Sequence, residues 1–479
     1  MPEVKYTVHW APPEELVKWN RLDIGMRTLY LKLKNKTPDL AEKIYFEALR
    51  AQTLGSLVDP DNPKKSDFNI FKKVFDEVSN EIYSKNFDIE KTLLPVSKNG
   101  SIINGAHRLS AALFHGKDVA FIQTTLPSII CDHQYFFNCA VPLRIIEQSV
   151  IQFLHYARNC FIAFLWPSSS INIHLAEKLF GNIIYKKKIS LTNKGAINLL
   201  YQCYHHMDWF GDEYSNYRGL YQKLFECFPK LDDVNMIIFQ ADAGIGHVRV
   251  IKEHIRVVNG HGYSSIHITN THEETLRLAS LLCNENGLHY LNHAELLKGK
   301  HHQILNQVLS LSNENNIHTN EFAIDGSWLL ELYGLRESND VVILTASGRD
   351  DIYRSLNIDS PAEAVKYHGK SVNELVYNPD NHFFLFGVKL IGLQQLINMK
   401  RNRREAKDLS DVQLMSGLIE NKRLEMLRVR LVQRWLYARI QMRKNIFNLV
   451  GIILRCIGLY QPVRAMYHYI ISRKPYKDV

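Results

Sequence analysis

The stretch that decides the fold is Ile103-Asn104-Gly105-Ala106-His107-Arg108, which stands between a short apolar strand and an apolar helix. Residues 94–96 predict the end of the strand, and residues 98–101 have the composition of a tight hairpin turn. Residues 109–114 predict a helix that ends at Gly116. The glycine-containing stretch therefore opens a helix directly after a turn.

Four residues of this stretch are candidates for binding an anion: Asn104, Gly105, His107 and Arg108. An imidazole and a guanidinium at the start of a helix stand beside its free backbone N–H groups and the positive end of its dipole. The same residues also fit a structural role, in which a buried His–Arg pair stabilises the junction between hairpin and helix. The order of glycine, histidine and arginine favours the anion site.

This order resembles the (D/N)-G-x-H-R signature of the ParB/sulfiredoxin-like nucleotide-binding fold, which includes ATP- and CTP-using proteins and a free-serine kinase. Residues 119–122 fit the next strand of that family, so the resemblance covers residues 93–122. It implies that residues 104–108 bind ATP, or another nucleoside phosphate, together with Mg²⁺.

A second group of chemistry-bearing residues follows the apolar run at residues 322–324. Gly326 and Ser327 form a turn at the start of a helix, Arg336 follows that helix, and Asp340 begins an apolar strand. Turn amides and a serine hydroxyl suit a triphosphate, and a strand carboxylate suits Mg²⁺. Gly326, Ser327 and Arg336 are therefore candidates for binding a nucleotide. Asp340 is a candidate for binding the metal and for catalysis.

The second group resembles the nucleotidyltransferase superfamily over residues 256–412. Residues 400–411 resemble its K-x-x-R-x-x-x-K-D-x-x-D helix, which implies a nucleotide-binding role for Lys407. The metal pair of that family is Asp-x-Asp, and Val342 stands here at the second position, so a domain that binds substrate without transferring a nucleotide is an equal alternative. The charges of residues 401–411 also fit a solvated helix face with an Arg404–Asp408 ion pair.

The composition is that of a globular chain with several domains. The 479 residues are 46% hydrophobic and 22% charged, which is typical of about two to four domains with ordinary cores. The seven cysteines are scattered without a C-x-x-C pair, which predicts reduced thiols and a cytoplasmic protein. We expect neither an export signal nor a membrane-spanning segment.

The basic character belongs to the C-terminal tail. The whole chain carries a net charge of +9, and residues 421–479 hold 13 Lys or Arg against two acidic residues. The tail therefore carries +11 and residues 1–420 carry −2. A basic helix with Trp435, followed by a short apolar helix, predicts binding to an anionic membrane from the cytoplasmic side. A basic helix packed on the body is an equal alternative, and no nucleic-acid partner is expected.

These patterns predict a mixed α/β fold with four parts. Residues 1–125 form the ParB/sulfiredoxin-like domain with added helices, residues 126–255 a helix-rich middle region, residues 256–412 the nucleotidyltransferase-like domain, and residues 413–479 the basic amphipathic tail.

The predicted function is that of a nucleotide-dependent phosphotransferase of the kinase type. His107 and Arg108 would stabilise the transferred phosphate, and Glu14, Glu15 or Asp23 would act as the base by position alone. The resemblance to proteins of bacterial surface-polysaccharide loci implies a sugar or a lipid-linked glycan as acceptor. One alternative is a nucleotidyltransferase that uses the second domain. Another is a nucleotide-gated binding or scaffold protein without catalysis.

Overall fold

The structure is a computed structural model that describes residues 6–59, 62, 64–169, 171–259, 262–338, 341–349, 365–420, 422–456 and 459–463. It is a mixed α/β protein with three small sheets, as predicted. The chain divides into two compact units, residues 1–399 and residues 400–479.

The strands are short, and helices make up most of the ordered chain. The strands of the described residues are β1 (Val8–Ala11), β2 (Leu94–Val96), β3 (Val119–Gln123), β4 (Cys160–Leu165), β5 (Ile183–Ile189), β6 (Val234–Gln240), β7 (Ile266–Ile268), β8 (Phe322–Asp325), β9 (Val342–Thr345), β10 (His382–Leu385) and β11 (Val388–Ile391). The α-helices are α1 (Asp23–Leu33), α2 (Pro38–Gln52), α3 (Phe68–Lys85), α4 (Ala106–His115), α5 (His133–Asn138), α6 (Leu143–Leu154), α7 (Ile173–Phe180), α8 (Asn193–Tyr204), α9 (Arg218–Cys227), α10 (Ile245–Asn259), α11 (His272–Leu282), α12 (Glu285–His293), α13 (Gly299–Glu314), α14 (Trp328–Leu332), α15 (Val372–Tyr377), α16 (Leu393–Arg403), α17 (Ala406–Ile419) and α18 (Arg423–Cys456).

The first sheet has the strand order β1-β3-β2 and carries the predicted hairpin and helix. β2 and β3 are parallel and are joined by α4, whereas β1 is antiparallel to β3. The turn after β2 is present as predicted, because the amide of Ser97 donates to the carbonyl of Ser101 and Val96 pairs with Ile102. Helices α1, α2 and α3 complete this part of the chain, and α4 packs against α1 and α3.

The second sheet adds three strands to residues 126–255, which the sequence predicts to be helix-rich. Its strand order is β5-β6-β4-β7, and all three pairings are antiparallel. Every residue of β4 is buried, so its apolar run lacks the alternation that marks a half-exposed strand. β7 also pairs with β4 across the predicted boundary at residue 255. One sheet therefore contains strands from two predicted parts.

The third sheet has the strand order β10-β11-β8-β9. β8 is parallel to β11 and antiparallel to β9, and Asp325 at the end of β8 lies opposite Val342. The Gly-Ser turn and α14 follow β8 directly, as the sequence predicts. Asp340, Asp350 and Asp351 lie outside the described residues.

The second unit contains α17 and α18. α18 is one helix of 34 residues, which replaces the two separate helices expected from the sequence. Leucines and a tryptophan on α18 are exposed, among them Leu424, Leu427, Leu431 and Trp435. Within the described ranges, no helix combines the length and apolarity needed to cross a membrane.

Candidate functional site

Gly105 sets the geometry at the start of α4. Its backbone is left-handed, with φ +90° and ψ 27°, which disfavours residues that carry a side chain. A Cβ atom here would also collide with Cδ2 of Leu94 and lie 3.0 Å from Nη2 of Arg108. Glycine therefore lets the guanidinium of Arg108 lie against the turn.

The amide groups of the first turn of α4 form the second part of the site. The amide of Gly105 donates to Oδ1 of the exposed Asn104 at 2.6 Å, and the amide of Leu109 donates to the carbonyl of Gly105. The amides of Ala106 and His107 belong to the helix start, where no backbone acceptor precedes them in the helix. Two N–H groups and the positive helix end are thus left without a helical acceptor at the start of α4.

His107 is held against aromatic rings. Its Nε2 atom lies 2.8 Å from the hydroxyl of Tyr45, and its ring centroid lies 4.6 Å from that of Phe75. Burial, together with the nearby Arg27 and Lys65, holds the pKa of His107 well below its usual value. The imidazole is therefore neutral at pH 7, and it contributes hydrogen bonding and packing rather than positive charge.

Asp23 belongs to a buried ion-pair network. Its carboxylate accepts two hydrogen bonds from Arg21, both at 2.8 Å, one from Arg27 at 3.0 Å and one from Gln52 at 3.2 Å. The neighbouring Arg21 and Arg27 outweigh the effect of its burial and lower the pKa of Asp23 to about 2. A carboxylate with this pKa is a poor general base at neutral pH. Asp23 instead positions the two guanidinium groups.

Gly105, His107 and Arg108 line a cavity of about 560 Å³, which we name the Gly105 cavity. Its lining includes Arg21, Arg27, Asp59, Lys65, Phe71, Ile103, Asn104, Gly105, His107, Arg108, Ile130 and Tyr135. The lining carries four arginine or lysine side chains, and two ion-paired carboxylates offset two of these charges. They are Asp59, which lies 3.1 Å from Lys65, and Asp23, which is not part of the lining and pairs with Arg21 and Arg27. The Nε atom of Arg27 is buried and has no hydrogen-bond partner. The cavity wall therefore carries excess positive charge and an unused donor.

Sequence reasoning missed Arg21, Arg27, Lys65 and Asp59 in this cavity. A usable signal was present, because Arg21, Asp23 and Arg27 occur within seven residues and Asp23 and Arg27 stand four residues apart. The predicted base Glu14 is not brought to the cavity. Glu14 and Glu15 lie 3.7 and 3.5 Å from the guanidinium of Arg158 and line a separate cavity of about 230 Å³.

The residues predicted for the second site lie in two places: Gly326, Ser327 and Arg336 lie after β8, and Lys407 lies in the second unit. Gly326 has φ +82°, and the hydroxyl of Ser327 accepts a hydrogen bond of 2.7 Å from Arg336. Asp325 is buried, and its Oδ2 atom lies 2.8 Å from Nε2 of His368. Gly326, Ser327 and Arg336 are therefore brought together beside Asp325. Among the described residues there is no group of three or more metal-ligating side chains.

Lys407 lies in the second unit, where its neighbours form ion pairs. Lys400 is buried and contacts Asp408 at 3.0 Å and Asp411 at 2.9 Å, and Arg403 makes two hydrogen bonds of 2.8 Å to Asp408. The expected Arg404–Asp408 pair is wrong, because Arg404, with φ +57°, lies in the break between α16 and α17 and not on one helix with Asp408. Lys407 itself is exposed and lies 3.4 Å from Glu405.

Comparison with protein-family models, with curated proteins and with solved structures finds no match to this chain. The chemistry of the site is therefore taken from its own geometry.

Proposed function

We propose that the protein binds a nucleoside phosphate in the Gly105 cavity. The proposal is carried by the excess positive charge of the lining. Its four cations, Arg21, Arg27, Lys65 and Arg108, outnumber the two carboxylates that pair with three of them, Asp23 and Asp59. The start of α4 adds two backbone donors beside Arg108. Phe71, Ile130 and Tyr135 supply apolar surface on the same lining, which suits the base of a nucleotide.

The reaction that we propose is phosphoryl transfer from ATP, with Mg²⁺, to a hydroxyl group of a sugar or a lipid-linked glycan. Arg108 and the amides of α4 would stabilise the charge of the transferred phosphate. Asp59 takes the role of base on this proposal, because it lines the cavity whereas Asp23 is committed to arginines. Nucleotide-gated binding without catalysis is the second candidate, favoured by the displacement of Glu14 and the pairing of Asp23.

Binding and turnover of ATP, ADP, CTP and GTP with Mg²⁺ test both candidates in the full-length chain. We expect Arg108→Gln to weaken nucleotide binding about ten-fold or more, because it removes a charge beside the phosphate. Lys117→Gln removes a charge just beyond the other end of α4 and should leave binding unchanged. Equal binding by wild type and Arg108→Gln would contradict the proposed site.

Asp59→Asn separates the two candidate functions. A phosphotransferase should lose turnover in Asp59→Asn and keep nucleotide binding, because the base acts on the acceptor. Wild type that binds nucleotide without turnover, also with glycan acceptors added, selects the gated binding protein. Turnover that depends on Ser327, and not on Arg108, would place catalysis in the nucleotidyltransferase-like part.

We also propose that residues 421–479 bind an anionic membrane surface. Apolar side chains recur every three or four residues along α18, at Leu424, Leu427, Leu431 and Trp435, and all four are exposed. Arginines stand between them in the sequence, and such a helix suits the interface of an anionic bilayer.

A further inference from the structure

A second cavity, of about 450 Å³, lies between α1, α6, α11 and the strands β10 and β11. We name it the lysine cavity after two of the three cations on its lining, Lys32 and Lys389; the third is Arg277. Its lining shares no residue with that of the Gly105 cavity, and it contains neither Gly326 nor Ser327.

Lys389 is a buried amine that forms no ion pair among the described residues. Its side chain is 3% exposed, and its Nζ atom donates to the carbonyls of Asn320 at 2.7 Å and Val376 at 2.6 Å. Among the described residues, no carboxylate oxygen lies within 4 Å of it. Burial and repulsion by Lys32 and Lys36 hold the pKa of Lys389 well below its usual value. Carbonyl groups satisfy its hydrogen bonds, and the rings of Tyr377 and Phe384 lie 5.3 and 5.5 Å from its Nζ atom. The lowered pKa means that the charged form of Lys389 needs an anion to stabilise it.

Lys32 and Arg277 also lack an ion pair among the residues that the structure describes, although Glu274 opposes the lowering of the pKa of Arg277 by burial. The Nζ atom of Lys32 donates to Oε1 of Gln152 at 3.3 Å, and burial with Lys36 nearby lowers the pKa of Lys32 to about 8. The guanidinium of Arg277 donates to the side chain and to the backbone carbonyl of Gln202, at 2.6 and 2.7 Å. Neither cation forms an ion pair with a carboxylate in the described part of the chain.

Three basic side chains on one cavity, without an ion pair in the described ranges, are electrostatically unfavourable, and the repulsion falls on Lys32 and Lys389. Like charges repel more strongly at low dielectric than in water, and a partly buried charge without a partner retains its desolvation penalty. Acidic residues are not scarce, since residues 1–420 carry a net charge of −2. Glu273, the acidic residue of the lining, is exposed and pairs with none of the three. The arrangement therefore matches an anion that supplies the missing charge.

The geometry points to a diphosphate group as the ligand of the lysine cavity. We propose that Lys32 and Lys389 act as point charges on its phosphates, while the planar guanidinium of Arg277 can pair with two oxygens. Three cations match the charge of a diphosphate better than that of a monophosphate. Leu29, Ile151 and Leu276 line the same cavity and limit access of water, which strengthens the attraction. This site is independent of nucleotide binding in the Gly105 cavity.

Titration of the full-length chain with inorganic pyrophosphate, followed by calorimetry and thermal denaturation, tests this site. We expect wild type to bind pyrophosphate and to be stabilised by it. Lys32→Met keeps the apolar stem and should weaken binding about ten-fold or more. Without ligand, Lys32→Met should unfold at the same or a higher temperature, because repulsion by Lys36 is removed. Lys389→Met is the second variant, with the same expected loss of binding.

Lys188→Met is the matched control, because Lys188 is exposed on β5 and does not line the cavity. It should bind pyrophosphate as wild type does. No binding by wild type, or equal binding by wild type and Lys32→Met, would overturn the proposal. Binding that is lost in Arg108→Gln and kept in Lys32→Met would place pyrophosphate in the Gly105 cavity, and would also overturn it.

The molecule that carries the diphosphate is identified with the Arg108→Gln variant, in which binding at the Gly105 cavity is weakened. Tighter binding of ADP than of pyrophosphate identifies a nucleotide, and tighter binding of an isoprenyl diphosphate identifies a lipid carrier. Affinity for inorganic phosphate equal to that for pyrophosphate would contradict a diphosphate site.

Discussion

Gly105 determines where the guanidinium of Arg108 can lie. The left-handed backbone and the contacts of the missing Cβ act together, because the same residue turns the chain into α4 and leaves room for Nη2. A larger residue would have to move Leu94 or Arg108. Steric contacts therefore explain why glycine stands at this position of the D/N-G-x-H-R pattern in this chain.

Gly105→Ala should lower the free energy of unfolding by about 1–3 kcal/mol and weaken nucleotide binding, because it strains the backbone and displaces Arg108. Chemical denaturation and calorimetry measure the two effects. Gly116→Ala is the matched control, since Gly116 has φ +62° at the other end of α4 and a Cβ there meets no atom within 4 Å. Equal loss of nucleotide binding in the two variants would contradict the claim that Gly105 supports binding by leaving room for Arg108.

At this scale the sequence predicted residue types better than their electrostatic state. Asn104, Gly105, His107 and Arg108 do line one cavity. The neutral state of His107 follows from rings and cations that lie elsewhere in the chain, so no local pattern could reveal it. The pairing of Asp23 with Arg21 and Arg27 has a local signal, and its spacing was a sufficient reason to doubt a catalytic base.

Elements defined by local chemistry were predictable, and elements defined by burial were not. The hairpin turn, α4 and the Gly-Ser turn each have glycine or a cap at a fixed position. β4 has no such local signal. Its sequence, Cys-Phe-Ile-Ala-Phe-Leu, is buried on both faces and therefore lacks the alternation of apolar and polar residues. Periodicity cannot distinguish such a strand from a buried helix, and its partners lie far along the chain.

The junction of α16 and α17 is stabilised by buried ion pairs. Lys400→Met should lower the free energy of unfolding of the second unit by about 3–5 kcal/mol, because it leaves the buried carboxylates of Asp408 and Asp411 without this partner. Denaturation monitored by circular dichroism measures the loss. Lys407→Met is the control: Lys407 is exposed, so stability should change by about 0.5 kcal/mol or less. Equal losses in the two variants would contradict a structural role specific to Lys400.

At the scale of the whole molecule, charge and apolar surface are concentrated in the tail. The full-length chain should sediment with vesicles that contain anionic lipid, because arginines and exposed leucines of residues 421–479 act together. Binding should weaken as salt rises, since the electrostatic part is screened. Vesicle cosedimentation measures both effects.

Neutral phosphatidylcholine vesicles and the variant Trp435→Ser are the controls for the tail. Both should reduce sedimentation, the first through lost charge attraction and the second through lost apolar insertion. Self-association that persists without lipid and is abolished by Trp435→Ser would instead assign the exposed residues to contact between copies of the chain.

The central position of β4 has a consequence for synthesis on the ribosome. Its partners β6 and β7 are made later, and β7 follows it by about a hundred residues. At translation rates of about 5–20 residues per second, this apolar segment waits roughly 5–20 s for its last neighbour. Both edges of this aggregation-prone strand are open until β6 is made, and one edge stays open until β7 follows. We therefore expect the nascent chain to depend on a chaperone holdase at this stage.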